Sequence, residues 1–142
     1  MIPSSLYEQI IASIPIPNVE AMIVKDDSLL FLKRKNSPAK GKWGFPGGRM
    51  WKDETFKETL LRNVKEEIGL DLEVVRFIGV YNRIYPERHD VTIVFLCRCF
   101  NEKVILNEEN SEFRFFKDVP NEIDPRLPET IRDSGWKFPH NL

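Results

Sequence analysis

The sequence predicts a mixed α/β or α+β domain, a single one spanning residues 1–142. Three observations carry that expectation. Apolar runs of strand length recur along the chain, broken by short polar or Pro/Gly-rich segments. One long segment, from Thr55 to Gly69, has apolar residues at helical spacing and carries cap residues at both ends. A chain of 142 residues is long enough to bury one proper core.

In order, Ser5-Leu6-Tyr7-Glu8 reads as a capping box, with Leu6, Ile10 and Ile14 following at helical spacing. This predicts a short helix that ends before Pro15. NVEAMIV, the turn KDDS and LLFLKRK read as a strand, a tight turn and a strand. NSPAKGKWGFPGG, rich in Gly, Pro and Lys, reads as an ordered loop. A helix from Thr55 follows. LEVVRFIGVYNR is a strand, YPERHD its turn, and VTIVFLCRCF a long, nearly continuous apolar strand. ILNEENSEFRFFKDV places an acidic loop before a further strand, and DPRLPETIRDSGW holds a short helix that then frays. Five or six strands and two or three helices suit one layered domain.

Composition excludes several roles. The hydrophobic share is 42%, the charged share 30% and the net charge -1, so no basic field points to nucleic acid or an anionic membrane. No apolar stretch is long enough to span a bilayer. The first residues, MIPSSLYEQI, lack the basic start and long apolar core of a signal peptide, and a cytoplasmic, reduced protein is expected. Cys97 and Cys99, two apart in an apolar run, read as buried free thiols sharing one strand face.

The central helix raises the functional question. Thr55-Phe56-Lys57-Glu58 forms a second capping box, and Gly69 is a natural stop. At about 100° per residue, Phe56, Leu60, Leu61, Val64 and Ile68 cover one arc, which should face the core. Asn63, Glu66 and Glu67 fall on the adjoining arc. Glu67 therefore projects where amphipathicity asks for an apolar residue. A partly desolvated carboxylate needs a partner, and a metal ion is one such partner.

The segment from Gly48 to Leu70 resembles the Nudix box, G-x5-E-x7-R-E-U-x-E-E-x-G-U, where U is bulky and apolar. Gly48, Glu54, Arg62, Val64, Glu66, Glu67, Gly69 and Leu70 stand where that pattern asks, while Asn63 replaces the glutamate after the arginine. The preceding FPGG and the two upstream strands share the likeness. It implies a Nudix fold, an α/β/α sandwich with a mixed sheet between helices. It also implies a Mg²⁺-dependent (or Mn²⁺-dependent) hydrolase of diphosphates linked to another group. In this likeness the metal ligands are the Gly47 carbonyl, Glu66, the principal ligand Glu67, and Glu109 of the late acidic loop. Arg62 holds box carboxylates in place by bidentate hydrogen bonds. The physical logic agrees, because a divalent ion can bridge carboxylates to a diphosphate and lower the pKa of an attacking water.

The stretch LKRKNSPAKGKWGFPGGRMWKDET is similar to the GDP-mannose mannosyl hydrolase branch of that family. That likeness makes Arg34 and Arg49 the expected phosphate-gripping residues, whereas Lys35, Lys40 and Lys42 read as solubilising charges. Trp43 has two open roles, stacking on a base or filling the core. The branch also lacks the carboxylate that Asn63 replaces. It differs from this chain in two ways. It lacks the carboxylate matching Glu66, and it carries a His base where alignment puts Asn110. Asparagine cannot take a proton near neutral pH. Glu109 is then the expected base or ligand, with Glu112 next and His89 read as structural or exposed. The expected substrate is a nucleotide sugar, GDP-mannose-like, with water attacking either phosphorus or the sugar carbon. Alternatives are a MutT-type nucleoside triphosphate pyrophosphohydrolase and a non-catalytic nucleotide-binding module. The partner is a small-molecule nucleotide, without nucleic acid or membrane. The oligomer is left open, a homodimer being one option.

Overall fold

A computed structural model describes residues 2–100 and 103–139. The chain runs α1 (Ser4–Ser13), β1 (Ile16–Lys25), β2 (Ser28–Arg34), β3 (Trp43–Gly44), β4 (Gly47–Arg49), α2 (Phe56–Ile68), β5 (Leu72–Ile84), β6 (His89–Cys99), β7 (Asn110–Phe116) and α3 (Leu127–Ser134). The strands form one mixed sheet, and the α+β class holds. Its centre is a parallel pair, β1 with β6, running from Ile16↔Asp90 to Val24↔Arg98. The other named pairings are antiparallel, with β5 on β6 and β7 on β2.

Side-chain alternation sends successive residues to opposite faces, and both faces are covered. Val19, Ala21, Ile23, Leu30, Leu32, Cys97 and Cys99 pack under Leu60, Val64 and Ile68 of α2. Met22, Leu29, Phe31, Tyr81 and Val94 pack on the opposite face with Leu127 and Ile131 of α3. The two cysteines are buried and unbridged, and burial pushes the Cys97 thiol up to about 12.

A split in the sheet makes the site possible. β1 and β2 pair only beside their turn, at Val24↔Leu29 and Lys25↔Ser28. Beyond it they part, and the segment expected as loop fills the gap with two short strands. β3 joins β2 through Leu32↔Gly44 and Lys33↔Trp43, and β4 joins β1 through Asn18↔Arg49 to Glu20↔Gly47. Strands of two and three residues leave no periodic trace, which is why this stretch reads as loop.

α2 follows its local signals. Thr55 accepts from the Glu58 N–H, Glu58 accepts from the Thr55 N–H, and Gly69 closes the helix at φ 71. Its inner arc differs from expectation at the first turn. Phe56 is 48% exposed, with its ring 6.5 Å from that of Phe95, and Thr59 takes the buried place while its hydroxyl donates to Glu54. The N-terminal capping box is also absent. α1 begins at Ser4 after Pro3, with no side-chain cap and no buried residue, so Ser5 lies inside the helix. No helix among the described residues is long and apolar enough to cross a membrane.

Candidate active site

The split opens a cleft of about 550 Å³, lined on one side by β1, β4 and α2 and on the other by the Asn36–Ala39 loop, Glu109 and Asn110. Glu67 is its central group. The residue is 6% exposed, its Oε1 accepts from the Gly47 N–H at 3.0 Å, and its Oε2 accepts from Asn110 Nδ2 at 3.0 Å. Burial pushes its carboxyl up to about 7 against the pull of those two hydrogen bonds. The Gly47 contact requires glycine. A Cβ there would fall 2.3 Å from the Val19 carbonyl oxygen, so no other residue lets β4 lie this close to β1.

Arg62 is the scaffold of the helix side. Its Nε and Nη2 grip Glu54 at 2.6 and 2.8 Å, and Nη2 also donates to the Arg49 carbonyl at 2.9 Å. Nη1 reaches Glu66 at 3.4 Å. The guanidinium bonds hold the Glu54 carboxyl well below the usual range, at about 2. The folded value lies below the ordinary 4.5, so this stabilisation is complete above pH 4.5 and is lost as pH falls towards 2. Urea unfolding between pH 6 and pH 2.5 should show stability falling with acid. Glu54→Gln should flatten that fall, and an unchanged slope would count against the lock.

The remaining expected residues fall into two groups. Arg34, Arg49, Glu66 and Glu109 line the same cleft as Glu67. Arg34 is held by the carbonyls of Pro38 and Ser37 and lies 4.0 Å from Glu109, whose side chain is 61% exposed. Arg49 stacks on the Tyr7 ring at 4.2 Å. Lys42 lies on the rim and is paired with Glu122 at 2.6 Å. Trp43 is not a cleft residue. Of its two open roles the structure places it in the core, 7% exposed and edge-on to Phe116 at 5.0 Å. Glu112 pairs with Lys33, and His89 contacts Asn82; neither lines the cleft.

Asn63 fills the position of the missing carboxylate with backbone contacts, its amide donating to the Thr59 carbonyl at 2.8 Å. A Cβ on Gly48 would meet the Asn63 Oδ1 at 2.3 Å, so glycine and asparagine fit each other here. Asn110 is the residue the sequence under-read. It opens β7, is 4% exposed, and grips Glu67 with its amide nitrogen while its buried Oδ1 has no partner.

A second polar constellation, also missed in the sequence, lies on the α3 face and reaches the cleft through Glu20, Tyr85, Arg88, Asp90 and Asp124. Arg83 is 1% exposed and donates to the Arg126 carbonyl at 2.7 Å, to Thr130 Oγ1 at 2.9 Å and to Glu20 Oε1 at 3.1 Å. Burial holds the Glu20 carboxyl above its ordinary value although Arg83 pulls the other way. Asp124 accepts from Tyr85 Oη at 3.2 Å and Asp90 from Arg88 Nε at 2.8 Å. The signal was legible: Glu20 is a charge inside the apolar run NVEAMIV, and Arg83 shares a strand face with Tyr81.

Among the described residues no three His, Cys, Asp or Glu side chains converge as a ready-made metal cage. The donors nevertheless fit a hard divalent cation. Glu67, Glu66 and Glu109 offer only oxygens, and the partnerless Asn110 Oδ1 adds a neutral one. Mg²⁺ is commonly held by one or two carboxylates together with substrate phosphates rather than by a full protein cage.

Fold and cleft define an α+β protein in which a glycine turn and a carboxylate-bearing helix meet over a split sheet. The NUDIX domain matches residues 15–137, and the chain belongs to the Nudix hydrolase family. It is 27% identical over 124 residues to the low-salt glycan biosynthesis protein Agl8 of Haloferax volcanii, covering 82% of this chain and 80% of that protein. It is 36% identical over 106 residues to an ADP-ribose pyrophosphatase of Methanocaldococcus jannaschii, across 72% of this chain but only 62% of that relative's length. The structure of a MutT NUDIX hydrolase from Burkholderia pseudomallei superposes with a TM-score of 0.78 at 27% identity, covering 85% of this chain and 98% of that one.

Proposed function

We propose that the protein is a Mg²⁺- or Mn²⁺-dependent hydrolase of a nucleotide sugar, GDP-mannose-like in class. One observation carries this reading: the cleft has two chemically different parts. Arg34, Arg49, Glu66, Glu67 and Glu109 gather guanidiniums for phosphate oxygens and carboxylates for a cation. Glu20, Asp90 and Asp124 line the rest with carboxylate acceptors beside the Tyr85 hydroxyl and the Arg88 guanidinium, a polar set suited to a polyol. The likeness to a glycan biosynthesis protein and to an ADP-ribose pyrophosphatase supports a sugar-linked diphosphate.

In this reading a divalent ion, when bound, would supply charge neutralisation of the diphosphate and a more acidic water. Glu67 and Glu66 would hold it, and Arg62 positions Glu66. Arg34 and Arg49 orient the diphosphate. Asn110 is committed to Glu67 and is not a base, so Glu109 takes the proton of the attacking water. With Glu66 retained and no His in the cleft among the described residues, attack at phosphorus is favoured. In oxygen-labelled water the label should then enter a phosphate product, giving a nucleoside monophosphate and a sugar phosphate. Label in free sugar would instead establish attack at carbon. Turnover of free nucleoside triphosphates with none of any nucleotide sugar would overturn the substrate.

Glu109→Gln should lower kcat by about 100-fold, the lower end for a general base, and change KM little. Glu112→Gln should stay within about twofold, because it faces Lys33 on β7. Equal effects from the two variants, assayed with the same substrate and metal, would remove Glu109 from the role.

A further inference from the structure

We propose that Trp51 is the stacking platform for the nucleobase, an inference that rests on the nucleotide-sugar reading above. Trp51 lines the cleft and is 40% exposed. One face of its indole lies on the Arg62 guanidinium, 3.6 Å from the ring centre. That support is rigid, since Arg62 is clamped by both oxygens of Glu54 and by the Arg49 carbonyl. The Trp51 backbone N–H donates to the same Glu54 carboxylate at 2.8 Å, which anchors the main chain beneath the ring. The indole is thus fixed on one side and open on the other. A fixed ring loses little freedom when a second ring stacks on it, and this raises affinity. Arg62 is already held by three bonds, so the large exposed aromatic is not required to place it.

Its position selects which part of the ligand it meets. Arg62 joins Trp51 to Glu66 and to the Arg49 backbone, so the indole borders the diphosphate region on the α2 face. The acceptors Glu20, Asp90 and Asp124 form a different wall, which Arg83 ties to α3 through Thr130. A nucleotide sugar has two ends joined by the diphosphate. The hydroxyl-rich end matches the acceptors, and the flat π-system matches the indole, because every base offers a face that stacks on an aromatic ring. Of the other aromatics that line the cleft, Phe45 is buried against Phe31, Tyr85 is bonded to Asp124 on the acceptor wall, and the Tyr7 ring is covered by Arg49, while Trp43 is in the core.

The test uses the full chain with Mg²⁺ present and reads tryptophan emission during titration with GDP, with ADP, with pyrophosphate and with mannose 1-phosphate. Both nucleotides should quench the emission, and the two ligands without a base should not. The quench should vanish in Trp51→Phe, which retains Trp43 and Trp136 as reporters. With a nucleotide-sugar substrate, Trp51→Ala should raise KM about tenfold, the scale of one base–aromatic stack, leave kcat within about twofold, and be largely rescued by Trp51→Phe. Equal quenching by pyrophosphate or sugar phosphate would overturn the proposal. So would an unchanged KM in Trp51→Ala, or a loss of kcat and Mg²⁺ affinity in its place, which would make the ring only a support for Arg62. A wild-type chain that turns over no nucleotide sugar would defeat the substrate reading, while the nucleotide titration would still decide the role of Trp51.

Discussion

Glu67→Gln should remove at least about 100-fold of turnover while leaving the chain folded. The amide is nearly isosteric with the carboxylate and keeps an oxygen for the Gly47 N–H, 3.0 Å from Glu67, while its NH2 faces Asn110, whose partnerless Oδ1 can accept it once that amide flips. What it loses is charge at a 6% exposed position, where electrostatic interactions are little screened. Removal of a single charge-stabilising group commonly costs about 100- to 1,000-fold. The fold should not suffer, because burial already disfavours the ionised form and the glutamine relieves that cost. The thermal midpoint should be equal to the wild type or higher, and Mg²⁺ binding by calorimetry should weaken in parallel with rate. A variant with near wild-type turnover at saturating Mg²⁺ would dismiss Glu67 as the principal ligand.

The parts of this site that were legible in the sequence are those set by local chemistry. Thr55, Glu58 and Gly69 bound α2 because caps act within a few residues, and Glu67 is visible as a carboxylate inside an apolar stripe. What the sequence concealed is set by distant partners. β3 and β4 exist because β2 and β1 diverge, and nothing within WGFPGGR reports that divergence. Trp43 and Trp51 lie eight positions apart in similar surroundings, yet one is locked to the chain around Glu122–Asp124 by backbone bonds and the other rests on Arg62. Asn110 was readable only as a residue unable to act as a base. Its grip on Glu67 depends on β7 pairing with β2 through Arg34↔Asn110.

Arg83→Met should be the most damaging change to stability among the residues discussed, by about 3–5 kcal/mol in urea unfolding. Arg83 is 1% exposed and is the cation paired with Glu20, whose carboxyl burial holds above its ordinary value even with that partner. Methionine matches the length of the stem but leaves Glu20 without a counter-charge and frees the Arg126 carbonyl and the Thr130 hydroxyl. Losing one partner of a buried pair costs far more than the pair contributes, because the desolvation penalty of the survivor remains. The double variant Arg83→Met/Glu20→Gln should therefore recover most of the loss, since neither charge is then stranded. Activity separates the two roles of the pair. If Glu20 serves the acceptor wall of the cleft, the double variant should regain most of the thermal midpoint yet show a raised KM for a nucleotide sugar. An Arg83→Met variant within about 1 kcal/mol of wild type would mean that Glu20 finds water once the guanidinium is gone. In that case the wall is open to solvent, and its carboxylates are too well hydrated to select a polyol.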